Sequence, residues 1–305
     1  MIGVILKKYF NINVSKYVKD KSFYVVRPAS LSNPKSNAVM FIMASHIDKA
    51  NVFEKVEQCL IFWPNNIEIP ESLLAKHAII KCEEPHSEYC RFYRDNKITY
   101  LPPKEDFEYV NGAFISKSAV IGVNVTIMPG VYIGGEVTIG NNTYIGAGAK
   151  LVGEVVIGNN VVIRENSVIG ADGLSTDREK DGKAITMPQF GRVILEDNVQ
   201  IGANTVIARG AIDDTRICNG AKIDNSCFIS HNTTVGEDTF IVGETIMFGS
   251  SSVGKRCLIS GNSVLANFVN IGDDCVLGMG SVALKSIPDK KIAFGSPVKT
   301  IKDKL

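Results

Sequence analysis

The sequence predicts a mainly β protein, a parallel solenoid of six-residue repeats behind a small α/β domain. Three observations predict it. An aliphatic ladder with a spacing of six runs through the later two-thirds of the chain, glycines and small polar residues recur behind its rungs, and the first 104 residues lack both. The ladder runs Ile115, Ile121, Ile127, Ile133, Ile139, Ile145, Leu151, Ile157, Ile163 and Ile169, resumes at Leu195, Ile201 and Ile207, and continues from Ile217 to Leu277. A period of six fits neither a helix near 3.6 nor a strand at 2. It marks a hexapeptide solenoid, in which each repeat is one short strand and a turn. Three repeats close a coil of about 18 residues, so branched rungs point inward and stack coil upon coil.

Residues 1–104 read as the α/β domain. Ser22–Val26, Val39–Met43, Cys59–Trp63 and His77–Lys81 are expected strands, and Glu71–Lys76 and Ser87–Asp95 expected helices. Residues 105–112 are the expected linker, in a stretch from Leu101 to Tyr109 rich in proline and carboxylates. The solenoid is expected over 113–287. Behind many rungs stands glycine (Gly122, Gly140, Gly158, Gly202, Gly236), expected to supply the positive φ of a tight corner. The ladder breaks twice. Ile169 to Leu195 is 26 residues, one repeat plus a 20-residue insertion, so residues 170–194 form an inserted loop carrying Asp172 and Gly173. Such a loop on a regular scaffold is often functional. Ile207 to Ile217 leaves a four-residue bulge around Ala211 to Thr215. Residues 288–305 are expected to cap the open end, one short helix being an option there, since a bare strand edge invites pairing.

The 33 basic and 32 acidic side chains nearly cancel, so bulk charge selects no partner. No basic patch interleaves with aromatics, which argues against nucleic acid. Seven cysteines without a CxxC pair point to reduced thiols in the cytoplasm. The apolar start Ile2 to Leu6 is too short for a leader, and no run approaches a membrane span.

Four histidines exist, and only His231 lies in the solenoid, two residues past the rung Ile229. Asp224, Asn225 and Asn232 share its half-coil. Gly249 follows 18 residues later and so stacks beside it, where its N–H is a candidate oxyanion donor. Asp213, Asp214 and Glu244 stand with Asp224 as carboxylates that could orient the imidazole.

The segments Ile169-Gly-Ala-Asp-Gly173, Pro188-Gln-Phe-Gly-Arg-Val193, Arg209-Gly-Ala-Ile-Asp-Asp-Thr215 and Ile223-Asp-Asn-Ser-Cys-Phe-Ile-Ser-His-Asn232 resemble the UDP-3-O-acylglucosamine N-acyltransferases of lipid A synthesis. The resemblance covers about 110–283 and continues weakly at Val39-Met-Phe-Ile-Met43. It implies a left-handed β-helix and a cytoplasmic homotrimer with sites in its grooves. It also implies an acyl thioester co-substrate, on carrier protein or coenzyme A, with no permanently bound cofactor and no metal. His231 would be the general base on a sugar amine, Gly249 the oxyanion donor and Asp224 the orienting carboxylate. Asn225, Asn232, Asp172 and Gly173 would meet substrate, and Phe41 would stack on the base of a nucleotide-linked amino sugar.

Departures concern the substrates. A second histidine falls at Phe268, the second stacking aromatic at Ile47, and an expected Asn at Ala44. Phe294-Gly-Ser-Pro-Val-Lys-Thr-Ile301 looks like the ending of small acetyl-CoA-dependent sugar acetyltransferases. The expectation is therefore an N-acyltransferase, on the lipid A precursor or on another amino sugar bound for a surface polysaccharide. The alternatives are an acetyl-CoA-dependent sugar acetyltransferase and a non-catalytic scaffold. A β-helix carbonic anhydrase would need three converging histidines, and the solenoid has one.

Overall fold

The computed structural model describes residues 9–98 and 105–303. The apolar start, the prolines before residue 105 and the last two residues lie outside them. The chain divides into two compact units, Met1–Tyr100 with Leu174–Pro188, and Leu101–Gly173 with Gln189–Leu305.

The first unit is built on a four-stranded parallel sheet, Arg27–Pro28, Ala38–Phe41, Leu60–Pro64 and Ala78–Cys82. Its central strand Leu60–Pro64 is wholly buried, as a parallel strand covered on both faces should be. Helix α1 (Glu71–Lys76) and helix α2 (Pro85–Asp95) follow the expected spans closely. A 3₁₀ segment, Ala44–Lys55, was not foreseen, and its Phe53 is buried in the core. The middle of the inserted loop belongs to this unit rather than to the solenoid that ejects it. Thr176–Arg178 and Ala184–Thr186 form a hairpin. It is tied to α2 by Asp177, which accepts from His86 Nδ1 at 2.8 Å and Ser87 Oγ at 2.7 Å, and by Glu179, which pairs with Arg91 at 2.9 Å and with Arg94.

His77 is buried in this unit, its Nδ1 accepting the Cys59 N–H at 3.2 Å and its Nε2 facing the Phe53 carbonyl at 3.1 Å. Burial pushes its pKa below the ordinary 6.5. The unfolded chain therefore binds a proton that the folded unit refuses, and stability rises with pH across that window. The denaturation midpoint of the unit is expected to fall as pH drops below about 6.5, and His77→Gln is expected to flatten that dependence. Equal slopes for the two proteins would contradict it.

The second unit is the solenoid. Among the described residues three sheets form its walls, a first of ten strands that holds Phe228–Ile229, a second of eight that holds Thr234–Val235 and a third of ten that holds Lys222–Ile223. They are parallel except for one antiparallel strand at an end of each ten-stranded sheet, and successive coils add one strand to each. Partners lie 18 residues apart, as in Ile133 with Leu151 and Ile223 with Ile241. Every rung from Ile133 to Leu277 is buried to 2 % exposure or less, while Ile115, Ile121 and Ile127 are partly covered at the starting end.

The glycines behind the rungs, apart from Gly170 with its φ of 92°, owe their place to a different cause from the one expected. The positive φ falls three positions past the rung, on residues such as Asn124, Asn142, Asn160, Asn204 and Asn232. Asparagine tolerates that region better than most side chains. The glycine one past the rung is needed because the next coil passes too close. A Cβ on Gly236 would fall 2.4 Å from the Gly254 carbonyl oxygen, and one on Gly140 2.5 Å from that of Gly158. Two positions before the rung, small hydroxyls and thiols stitch the coils inside the wall. Thr239 Oγ1 donates to the Gly254 carbonyl at 2.7 Å and accepts the Cys257 N–H at 3.0 Å. Cys257 Sγ continues the series to the Gly272 carbonyl at 3.1 Å, and burial pushes its thiol up to about 11.

Both ends differ from expectation. Within the stretch read as a linker, Phe107–Val110 is a strand, paired antiparallel with Ala113–Ser116. At the far end the ladder does not stop at 287. Ile287 bridges to Ile271, and Lys291–Gly295 continues the third sheet in parallel register beside Val276–Leu277. It turns back on Val298–Asp303 as an antiparallel hairpin, so a hairpin stands where a short helix was an option.

Candidate functional site

His231 sits on the corner between the first and second sheets, past the strand Phe228–Ile229. Its ring is half-buried. Two glycines hold it from either side. A Cβ on Gly173, at the root of the inserted loop, would lie 2.9 Å from His231 Cβ and 3.0 Å from Cδ2. A Cβ on Gly249, one coil along, would lie 2.5 Å from Cε1 and 2.6 Å from Nε2. The stacking of Gly249 on His231 expected from the 18-residue spacing is thus realised, with the backbone against the Nε2 edge of the ring. The same coils are joined by the Ser250 N–H donating to the His231 carbonyl at 2.9 Å.

The other ring nitrogen, Nδ1, lies 3.0 Å from Asn232 Oδ1. Asn232 occupies the left-handed region, φ 59°. Its Oδ1 also accepts the Ala211 N–H at 2.9 Å, its Nδ2 donates to the Asp213 carbonyl at 3.1 Å, and its own N–H donates to Thr215 Oγ1 at 2.9 Å. The four-residue bulge therefore wraps the Asn232 side chain. Arg192 clamps the bulge in turn, with Nε on Asp214 Oδ1 at 3.0 Å and Nη2 on Oδ2 at 2.8 Å. Burial alone would push the Asp214 carboxyl up, but the Arg192 hydrogen bonds and charge hold it below the usual range. Asp172, next to Gly173, has its pKa raised by burial, against the pull of the Arg209 guanidinium. Arg209 is 1 % exposed, and its Nε donates to the Gly191 carbonyl at 2.7 Å.

The residues singled out from sequence thus separate into groups. His231, Asn232, Gly249 and Gly173 come together, with Asp172 beside them in the chain. Asp224 and Asn225 lie on the preceding corner of the same chain. There Asp224 Oδ2 accepts the Gly243 N–H at 3.1 Å, and Asn225 Oδ1 accepts the Ala203 N–H at 2.6 Å. They border a groove of about 440 Å³ with Arg164, Lys222 and Phe240. The partner of the His231 ring within this chain is Asn232, not Asp224, Asp213, Asp214 or Glu244. Asn232, expected to meet substrate, instead has its amide engaged by the framework. Phe41 belongs to the first unit, where its half-buried ring lies 5.1 Å from His86 and 4.9 Å from Tyr89. The roles of Asn232, Arg192 and Arg209 escaped the sequence because the break in the ladder has no period of its own. The signal available was the Arg-Gly-Ala-Ile-Asp-Asp segment sitting in that break.

Chemically, an imidazole with one nitrogen committed to an amide oxygen and the other beside a glycine backbone is equipped to take a proton from a group that reaches it there. Among the described residues, no helix is long and apolar enough to cross a membrane.

Known proteins agree with this architecture. Residues 118–153 and 136–171 match the family described as bacterial transferase hexapeptide (six repeats). Residues 192–230 and 250–284 match the hexapeptide repeat of succinyl-transferase. A UDP-3-O-acylglucosamine N-acyltransferase of Francisella tularensis subsp. holarctica is 51% identical over 79 residues, 26% of this chain and 23% of the relative. The enzyme of that name from Coxiella burnetii is 47% identical over 90 residues, 30% of this chain and 26% of the relative. The matched stretch thus spans about a quarter of these relatives' length. Among solved structures, LpxA, a UDP-N-acetylglucosamine acyltransferase from Bacteroides fragilis, superposes with a TM-score of 0.58 at 27% identity, covering 64% of this chain and 74% of that one. The corresponding acyltransferase from Campylobacter jejuni gives 0.56 at 22% identity, covering 64% and 75%. The solenoid is a left-handed parallel β-helix of this kind.

Proposed function

We propose that this hexapeptide-repeat β-helix protein is an N-acyltransferase, moving an acyl group from a thioester to the amine of a nucleotide-linked amino sugar, with His231 as general base. The observation that carries the reading is the imidazole clasped between Gly173 and Gly249, with Nδ1 on Asn232 and Nε2 at the Gly249 backbone. Relatives that match about a quarter of the chain are themselves named N-acyltransferases.

In this reading the sugar amine attacks the thioester carbonyl while Nε2 accepts its proton. The Gly249 N–H donates to the oxyanion, which a pre-oriented backbone dipole stabilises more than water would. Collapse breaks the C–S bond, leaves the new C–N amide, and returns the proton from the imidazolium to the departing thiolate. Asp172 and Gly173 border the entrance. The donor is an acyl carrier protein or an acyl-CoA, and no permanently bound cofactor takes part.

We read the working form as a homotrimer. Asp224 and Asn225 occupy a different corner from His231, so both sets serve one site only where two copies meet. The outward row of the first sheet supports such a meeting, since Phe114, Val168, Val206, Phe228, Ile246 and Val264 make it largely apolar, with Lys150 its charged member.

Phe41 is read as the platform for the nucleotide base. Phe41→Ala is then expected to raise the acceptor KM by about tenfold, with kcat within about twofold. Steady-state kinetics against acceptor concentration measure this, and a kcat loss at unchanged KM would remove the stacking role.

The reading as a whole is tested by free-thiol release from purified protein across a matrix of donors and acceptors. Acetyl-CoA, a 3-hydroxyacyl-CoA and a 3-hydroxyacyl carrier protein would each be paired with several UDP- and dTDP-amino sugars. Release with hydroxyacyl carrier protein and acylated UDP-glucosamine places the chain in lipid A synthesis. Release with a CoA donor and a different amino sugar places it in surface-glycan synthesis. Thiol release with no pair, from folded protein, overturns the reading.

A further inference from the structure

We infer that Asn232, held in place by the bulge between Gly210 and Thr215, is a positioning residue that fixes which nitrogen of His231 carries the proton. The inference rests on the proposed role of His231 as a base, and it follows from a count of donors and acceptors.

An amide side chain can face either way, and its two ends look alike in outline. Here the backbone decides. The Ala211 N–H is a donor and points at one end of the Asn232 amide at 2.9 Å, so that end is the oxygen. The Asp213 carbonyl is an acceptor and meets the other end at 3.1 Å, so that end is the NH₂. Both contacts come from the bulge, and neither survives a flip of the amide. The oxygen so placed has no proton to give, yet it lies 3.0 Å from His231 Nδ1. A neutral imidazole meets it favourably only with the proton on Nδ1. The lone pair is then on Nε2, the edge that faces Gly249.

An unconstrained neutral histidine prefers its proton on Nε2, which would leave no lone pair on the Gly249 edge of the ring. The bulge overrides that preference through two backbone bonds that involve no ionisable group. The Asn232 backbone suits the task, since φ 59° lies in the region that asparagine tolerates. Asp214 and Arg192 brace the bulge from behind, the Arg192 N–H also donating to Asp214 Oδ1 at 3.1 Å. This assigns the break in the ladder a purpose. The four extra residues bring the Ala211 N–H and the Asp213 carbonyl to an amide that a regular repeat would leave to solvent.

The test is nitrogen NMR of the full chain with labelled histidine, assigned by the loss of one ring in His231→Ala. At a pH where the ring is neutral, wild-type His231 is expected to carry its proton on Nδ1. Asn232→Gly keeps a backbone that accepts positive φ and removes the amide, and its His231 is expected to shift to the Nε2–H form. Asn232→Asp keeps an oxygen on the Ala211 N–H and Nδ1 side while losing the bond to the Asp213 carbonyl, and it is expected to retain Nδ1–H, which guards against a glycine variant that fails to fold. An Nε2–H ring in the wild type, or an unchanged tautomer in Asn232→Gly, overturns the inference. With an active donor and acceptor pair, Asn232→Gly is expected to lower kcat by about tenfold to hundredfold with acceptor KM within about twofold. A raised KM at full kcat would mean that Asn232 contacts substrate, and would also overturn it. The tautomer is read without substrate, so a protein that transfers no acyl group would sink the proposed function and leave this measurement standing.

Discussion

His231→Ala is expected to lower turnover by about 10²–10⁴-fold, the range a positioned base contributes, while leaving the thermal unfolding of the solenoid within a few degrees of wild type. The two halves of the expectation have separate grounds. The ring is half-buried on a corner and contributes one side-chain hydrogen bond, to Asn232. The coil beneath it is held by bonds the substitution leaves alone, among them the Ser250 N–H to the residue's own carbonyl and the Asn232 N–H to Thr215. Loss of the base, by contrast, leaves the attacking amine with water as proton acceptor. Initial rates at saturating donor and acceptor, alongside a melt followed by circular dichroism, separate the two. A variant that turns over within about twofold of wild type would remove His231 from the mechanism. A variant that is both inactive and unfolded would show that the corner depends on the ring.

Gly249→Ala is expected to cost about 10²-fold in kcat through the same imidazole. The backbone of Gly249 lies outside the left-handed region, so alanine can adopt it. The obstacle is the ring, since the new carbon would stand 2.5 Å from Cε1 and 2.6 Å from Nε2. Either the coils part or the ring turns. The coil spacing is set by a column of backbone bonds, including the Phe268 N–H on the Gly249 carbonyl at 3.2 Å, whereas the ring is anchored by one hydrogen bond. The ring therefore yields, leaving Asn232 and vacating the position from which it takes the proton. A double-mutant cycle checks this route. Added to His231→Ala, the glycine change is expected to cost little more, because its target is already gone. Losses that multiply in full would assign the effect to the Gly249 N–H itself and to a shifted oxyanion donor.

The ladder was readable residue by residue because each rung repeats the same environment, and repetition is what a single sequence displays best. Ile133 to Leu277 are buried as their spacing requires. For the glycines behind the rungs positive φ is the reason only at Gly170, since periodicity shows where a residue recurs and not which neighbour it must avoid. The contact that excludes a Cβ at Gly236 comes from a residue 18 positions away. The terminal strands Phe107–Val110 and Lys291–Gly295 were missed for the opposite cause. They sit where the repeat begins and ends, beyond the last regularly spaced rungs, and each forms a terminal antiparallel hairpin that no rung announces. At the site, the stacking of His231 and Gly249 followed from coil length alone. The Asn232 clasp did not, because it depends on how four irregular residues fold back. Asp224 was the orienting carboxylate the family resemblance implied, yet six residues carry the chain from one corner of the solenoid to the next, and Asp224 Oδ2 accepts the Gly243 N–H instead.

The inserted loop has a last consequence, for how such a chain can change over generations. Asn159 donates its N–H to Asp197 Oδ1 across 38 residues, whereas Asn141 makes the same bond to Asn159 across 18. The scaffold registers the two cases identically, and the 20 residues between them pass unnoticed by the wall. Since the entropic cost of a longer loop grows only with the logarithm of its length, this corner behaves as a socket. A segment of another length there would leave every coil above and below in phase, while the packing of its root Gly173 on His231 and the bonds of Asp177 and Glu179 to α2 restrict which segments can serve.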